Sequence, residues 1–171
     1  GEWRTWAIVN FILATGARAG TVCNVKMSDI NYTKKEITFT KVKTKQVQVV
    51  PLSASLENAL KTYIRIWRHN KVDGWLFSNI EDEKLTVNAL HQAFTRYCNN
   101  REVEHTSVHG LRHSFARGWI KNNGNVFALQ NIMGHSTQDM TRRYVKLFAD
   151  DLKEGYEAYC FAFFACIFPP F

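Results

Sequence analysis

Cysteine is scarce in this chain and badly spaced for chemistry. Only Cys23, Cys98, Cys160 and Cys166 occur in 171 residues, and no two form a C-x-x-C pair. That pattern suggests neither a zinc site nor a disulfide framework. There is no secretory signal at the start, so a reducing cytoplasm is the expected setting. Long hydrophobic runs are missing too. The most apolar stretch, YCFAFFACIFPPF at 159–171, falls short of the roughly 20 residues a membrane-spanning helix needs. No P-loop is present, nor a carboxylate cluster of the kind that holds magnesium. His109 and His113 have the i, i+4 spacing of a zinc helix. Gly110 stands where a zinc protease would carry its glutamate, so no metal is expected there. Internal repeats, linkers and low-complexity segments are absent. The chain opens Gly1-Glu2-Trp3 without a methionine, which suggests a fragment of something longer.

What is present describes one ordinary domain with a real core. The chain is 46% hydrophobic and 22% charged, a balance unlike that of disordered chains. Twenty-two lysines and arginines outnumber fifteen acidic residues, for a net charge of +7. A basic globular domain suits an acidic partner. Nucleic acid leads, with an anionic membrane surface or an acidic protein behind it.

Local patterns place the elements. EWRTWAIVNFILATGARAG reads as a buried helix stopped at Gly16. EITFT and QVQVVPL alternate and carry β-branched residues, with KVKTK between them, which is a hairpin signal with lysines at the tip. Pro51 ends its second strand. From Ser53, apolar residues Leu56, Leu60, Tyr63, Ile64 and Trp67 recur at helical spacing, capped by Ser53 or Ser55. GWLFS is a short extended piece. TVNALHQAFTRYCNN is a further amphipathic helix. Another runs from about His109 to Lys121, and VFALQNIM is a shorter one closed by Gly134. Ser136 and Asp139 resemble a capping box opening a last helix that carries Tyr144. The elements give an α+β domain, mainly α-helical, with a small antiparallel hairpin.

Taken singly, the polar residues say little. His109 and Arg112 share a helix face at i, i+3, as do many surface pairs. Tyr144 falls on the apolar side of its helix with Met140, Leu147 and Phe148, and periodicity alone makes it a packing residue. The combination says more. TGAR places Arg18 just past a helix end. KVKTK puts lysines on a hairpin, HGLRH supplies His109 and Arg112, MGHS supplies His135, and RRYV supplies Tyr144.

These pieces resemble the catalytic domain of tyrosine recombinases, the phage-integrase family. ATGARAG with NVKMSDI, KTKQVQVVPL, HGLRHSFA and LQNIMGHSTQDMTRRYV come in the family's order and cover most of residues 10 to 146. The resemblance implies a helical catalytic domain over residues 1–155 with its small sheet at one edge, missing an N-terminal core-binding domain. It also implies an apolar tail, 156–171, that packs in cis or in trans on a neighbouring copy. Arg18 and Arg112 match the two family arginines, His109 and His135 the two histidines, and Tyr144 the nucleophile. Lys43 best matches the lysine, with Lys45 and Lys41 as alternatives. One departure stands out, since Thr21 occupies a position where the family carries an acidic residue three after the first arginine.

The implied chemistry is cutting and rejoining of double-stranded DNA through a 3′-phosphotyrosine, with neither metal nor ATP. Arginines suit a phosphodiester because a planar fork holds two oxygens and stays charged. Tyrosine, with an ordinary pKa of about 10, needs cations and a base. His109 is the candidate base and Lys43 the candidate acid for the leaving 5′ oxygen. Lys34, Lys35, Lys41, Lys45, Arg117, Lys121, Arg142 and Arg143 are candidate phosphate-backbone contacts. A homotetramer on DNA is the implied assembly. The competing expectations are a type IB topoisomerase and a catalytically silent DNA-binding module.

Overall fold

The computed structural model describes residues 2–40, 47–69, 71–104, 106–122 and 124–134. Helix α1, Glu2–Thr15, is apolar around most of its circumference and runs through the middle of the domain. Trp6, Ala7, Ile8, Val9, Phe11 and Ile12 are all buried, against helices α3 (Ala54–Ile66), α4 (Val87–Asn99) and α5 (Val108–Lys121). It ends where the sequence predicts. Gly16 turns left-handed at φ 64, and its N–H closes on the Ile12 carbonyl at 2.8 Å. A side chain there would be doubly penalised, because a Cβ would sit 2.4 Å from the Phe115 ring.

The later helices start on the residues their caps dictate. Ser53 Oγ accepts from the Leu56 N–H, settling the choice between Ser53 and Ser55. Thr86 accepts from Ala89 and Ser107 from Gly110 in the same way. Helix α6, Val126–Met133, is opened by Asn125 Oδ1, which takes the Phe127 and Ala128 N–H groups at 2.9 and 3.1 Å. It is closed by Gly134 at φ 59. A short helix α2, Ala19–Val22, follows α1, and a 3₁₀ turn spans Met27–Asp29. Neither is long enough to show a period in the sequence.

The expected hairpin is present as β2, Glu36–Thr40, antiparallel to β3, Val47–Pro51, with Pro51 the last strand residue. A third strand, β1, Ile30–Asn31, extends the sheet in the order β1-β2-β3. Two residues carry no alternation, so β1 escapes pattern reading. Its turn is fixed by Asn31 Oδ1 accepting from the Lys34 N–H and by Lys35 at φ 56. GWLFS, expected as a short extended piece, is bent at Gly74, Leu76 and Phe77 and joins no strand, making two isolated bridges, Trp75 to Lys26 and Ser78 to Lys84.

Sheet and helices meet over one aromatic core. Phe11 touches Phe39 at 5.9 Å and Phe77 at 5.4 Å between ring centres, and Tyr63 meets Phe77 at 5.6 Å with the rings tilted by 39°. The buried Tyr63 hydroxyl donates to the Leu76 carbonyl at 3.1 Å. A smaller cluster, Ala116, Leu129 and Met133, joins α5 to α6. Among the described residues no helix is long and apolar enough to cross a membrane.

Candidate active site

The two arginines arrive from distant parts of the chain. Arg18 stands at the N-terminal edge of α2, two residues past the Gly16 turn, and is exposed. Its approach is set by Thr15, whose hydroxyl donates to the Phe11 carbonyl at 2.6 Å and accepts from the Ala17 N–H at 3.3 Å. Arg112 lies on the first turns of α5 and is 4% exposed.

Both guanidinium groups converge on the C-terminal end of α6. Arg18 Nη1 donates to the Met133 carbonyl at 3.2 Å and to the Gly134 carbonyl at 3.4 Å. Arg112 Nη2 donates to the same Met133 carbonyl at 2.8 Å, and its Nη1 donates to the Gly16 carbonyl. Arg112 therefore bridges the C-terminal ends of α1 and α6. Those carbonyls have no helical partner and carry the negative end of the helix dipole, so cations are favoured there. Sharing one acceptor keeps the two guanidinium groups within a few ångströms of each other.

His109 lies one turn before Arg112 on α5, exposed. Its ring meets that of His113 edge to face, 4.3 Å between centres at 86°. Burial pushes the His113 pKa below its ordinary value, and the neighbouring His109 and Arg112 push it the same way. His113 drew attention in the sequence only as a zinc ligand. Among the described residues no three His, Cys, Asp or Glu side chains gather as a metal ion would require.

The remaining predicted residues divide. Arg117 is half-buried, and Lys121 is exposed at the end of α5. Lys34 is exposed at the β1–β2 turn. Lys35, also a candidate backbone contact, is exposed and pairs with the buried carboxylate of Glu57 at 2.5 Å, and Lys61 pairs with the other oxygen at 2.7 Å. The hydrogen bonds of Lys35 and Lys61 hold the Glu57 carboxyl below its ordinary pKa. Thr21 is half-buried in α2, and its carbonyl accepts from the Asn24 N–H at 2.9 Å. Lys41, Lys43, Lys45, His135, Arg142, Arg143, Tyr144 and the tail lie outside the described residues.

Sequence reasoning missed Gln48. It is the second residue of β3, and its Nε2 donates to the Asn131 carbonyl at 2.9 Å and to that of Ile132. A signal existed. Ile37, Phe39 and Val50 face the core, and Gln48 pairs with Phe39 on that same face, a polar residue where the alternation calls for an apolar one.

The phage integrase family profile matches residues 1–150. The chain is 29% identical to tyrosine recombinase XerA of Pyrococcus furiosus over 88% of its own length and 52% of that protein. It is 34% identical to the integrase of Haemophilus phage HP1, over 80% of this chain and 35% of that one. It thus spans about half the length, or less, of these curated relatives. In fold it is similar to the crystal structure of XerA recombinase, with a TM-score of 0.76 at 22% identity over 90% of this chain and 58% of that one. It is also similar to XerH site-specific recombinase bound to a palindromic difH substrate after cleavage, with a TM-score of 0.68 at 23% identity, over 90% and 46% of the two chains. Two converging arginines on a mainly helical domain with a small antiparallel sheet, together with a match over residues 1–150, establish that this chain belongs to the phage integrase family.

Proposed function

We propose that this domain carries the chemistry of a site-specific recombinase, cutting and rejoining double-stranded DNA through a 3′-phosphotyrosine. The observation that carries the proposal is the convergence of Arg18 and Arg112 on the Met133 carbonyl, directly ahead of Gly134 and His135. A pair of guanidinium groups fixed in this way is suited to the non-bridging oxygens of one phosphodiester. His135 donates a further hydrogen bond to that phosphate. Tyr144 Oη attacks phosphorus and gives up its proton, with His109 as base. The bond from phosphorus to the 5′ oxygen breaks, and Lys43 supplies the proton to the leaving oxygen. The energy of the broken bond is kept in the phosphotyrosine, so a second 5′ hydroxyl can reverse the step on another strand. Catalysis here is positioning and charge stabilisation. Four copies on DNA, linked through their tails, would exchange strands in pairs.

The test enriches duplexes from a randomised pool by binding to the wild-type chain and then presents the enriched site as a nicked suicide duplex. A covalent protein–DNA adduct is expected, absent in Tyr144→Phe. Enrichment of a bound duplex with no adduct at all would make this a DNA-binding module and end the enzymatic reading.

A further inference from the structure

We infer that Gln48 is a positioning residue for the arginine pair, acting through the C-terminal carbonyls of α6. The inference rests on the proposed role of Arg18 and Arg112 and adds the device that holds them.

The last carbonyls of a helix lack full partnering inside it. At the end of α6 and its Gly134 cap, four successive carbonyls accept from side chains of three separate parts of the chain, that of Asn131 also accepting from the Gly134 N–H. Gln48 of β3 donates to the carbonyls of Asn131 and Ile132. Arg112 of α5 donates to Met133, and Arg18 before α2 donates to Met133 and Gly134. Only Gln48 among these donors is uncharged, and only Gln48 ties the row to the sheet. Its place in the strand is unfavourable by burial alone. Val50, Ile37 and Phe39 on the same face are nearly fully buried, while Val47 and Val49 face solvent at 62% and 52% exposure. The strand gives up an apolar contact at position 48 and gains two bonds to the end of α6.

The consequence concerns the arginines. Both hang on the Met133 carbonyl, so any shift of the helix end moves the two guanidinium groups together. Leu129 and Met133 pack α6 on α5, and Ile132 packs against the main core. Gln48 adds a polar tie from the sheet to the two carbonyls directly before the one that both arginines share.

The experiment compares Gln48→Met, which keeps the chain length and loses the donor, with Gln48→Lys, which keeps a donor. The probe is the enriched nicked duplex, with either an ordinary phosphodiester or a methylphosphonate at the scissile position. The methylphosphonate is neutral and so needs no guanidinium to balance charge. On the phosphodiester, Gln48→Met is expected to lower the adduct rate at saturating DNA by about ten- to a hundredfold, as small misplacements of catalytic groups do. The half-saturating DNA concentration should change little, and Gln48→Lys should keep most of the rate. On the methylphosphonate the deficit of Gln48→Met should largely close, as should that of an Arg112→Ala control. A wild-type rate in Gln48→Met overturns the inference. So does a deficit equally deep on both probes while Arg112→Ala is relieved, because that pattern means general loosening of the fold. If Arg112→Ala itself is not relieved, the role proposed for the arginines fails, and this inference falls with it.

Discussion

Arg112 is a permanent charge at 4% exposure, and the kind of partner it has matters. The Gly16 and Met133 carbonyls to which it donates lie at the ends of two helices, where a cation is favoured, and they set the orientation of its fork. The residue beside this arrangement with a pH signature is His113. Burial, then His109 and Arg112, lower its pKa from 6.5. In the window just below 6.5 the unfolded chain binds a proton that the folded chain resists, so stability is full above that value and declines as pH falls through it. The carboxyl of Glu57 is held below its ordinary 4.5, and that of Asp82, which accepts hydrogen bonds from Lys71 and Arg68, below its ordinary 3.8, so their contributions are lost only at lower pH. The Tm of the wild-type chain should therefore fall between pH 7.5 and 5, and that of His113→Gln should fall less. Parallel curves for the two proteins would contradict this.

Among the elements, α6 bears most directly on the site, since its last carbonyls receive both arginines and Gln48. Eight residues are too few to be helical alone. It is held by Asn125 at its start, Gly134 at its end and the Leu129–Met133 contact with α5. Replacing Asn125 by Ala leaves the Phe127 and Ala128 N–H groups without their acceptor and should cost about 1 kcal/mol in urea unfolding. The adduct rate should fall as well, because the carbonyls of residues 131–134 lose their fixed place. A loss of stability with an unchanged rate would detach α6 from the chemistry. The helix itself was legible in advance, because caps, glycine stops and apolar periods lie within a few residues of one another. Ser53, Thr86 and Gly134 all act where their sequence neighbourhoods put them. Strand β1 was not legible, being too short to alternate. Nor were the contacts that make the site. Gln48 reaches Ile132 across 84 residues, and Arg18 reaches Met133 across 115. Composition and spacing gave Arg18 and Arg112 no reason to meet, and only the family resemblance brought them together before the fold did.

At the scale of the whole molecule, a net charge of +7 draws the domain to a polyanion but confers little selectivity. The chain spans about half of its relative from Pyrococcus furiosus. On the proposed reading as a recombinase, several copies act together on DNA, and the sequence feature suited to joining them is the apolar tail at 156–171. With its run of aromatic and small apolar residues, such a segment is unfavourable in water and gains by docking on protein. Docked on a neighbouring copy, it would link one active site to the next, so that cleavage at one position is coupled to assembly at another. Deleting residues 156–171 should then leave adduct formation at a single site in place. Higher assemblies on DNA, followed by sedimentation, and the bridging of two labelled duplexes should both disappear. Unchanged assembly and bridging, together with a lower Tm, would put the tail on its own domain and leave strand exchange to depend on some other contact between copies.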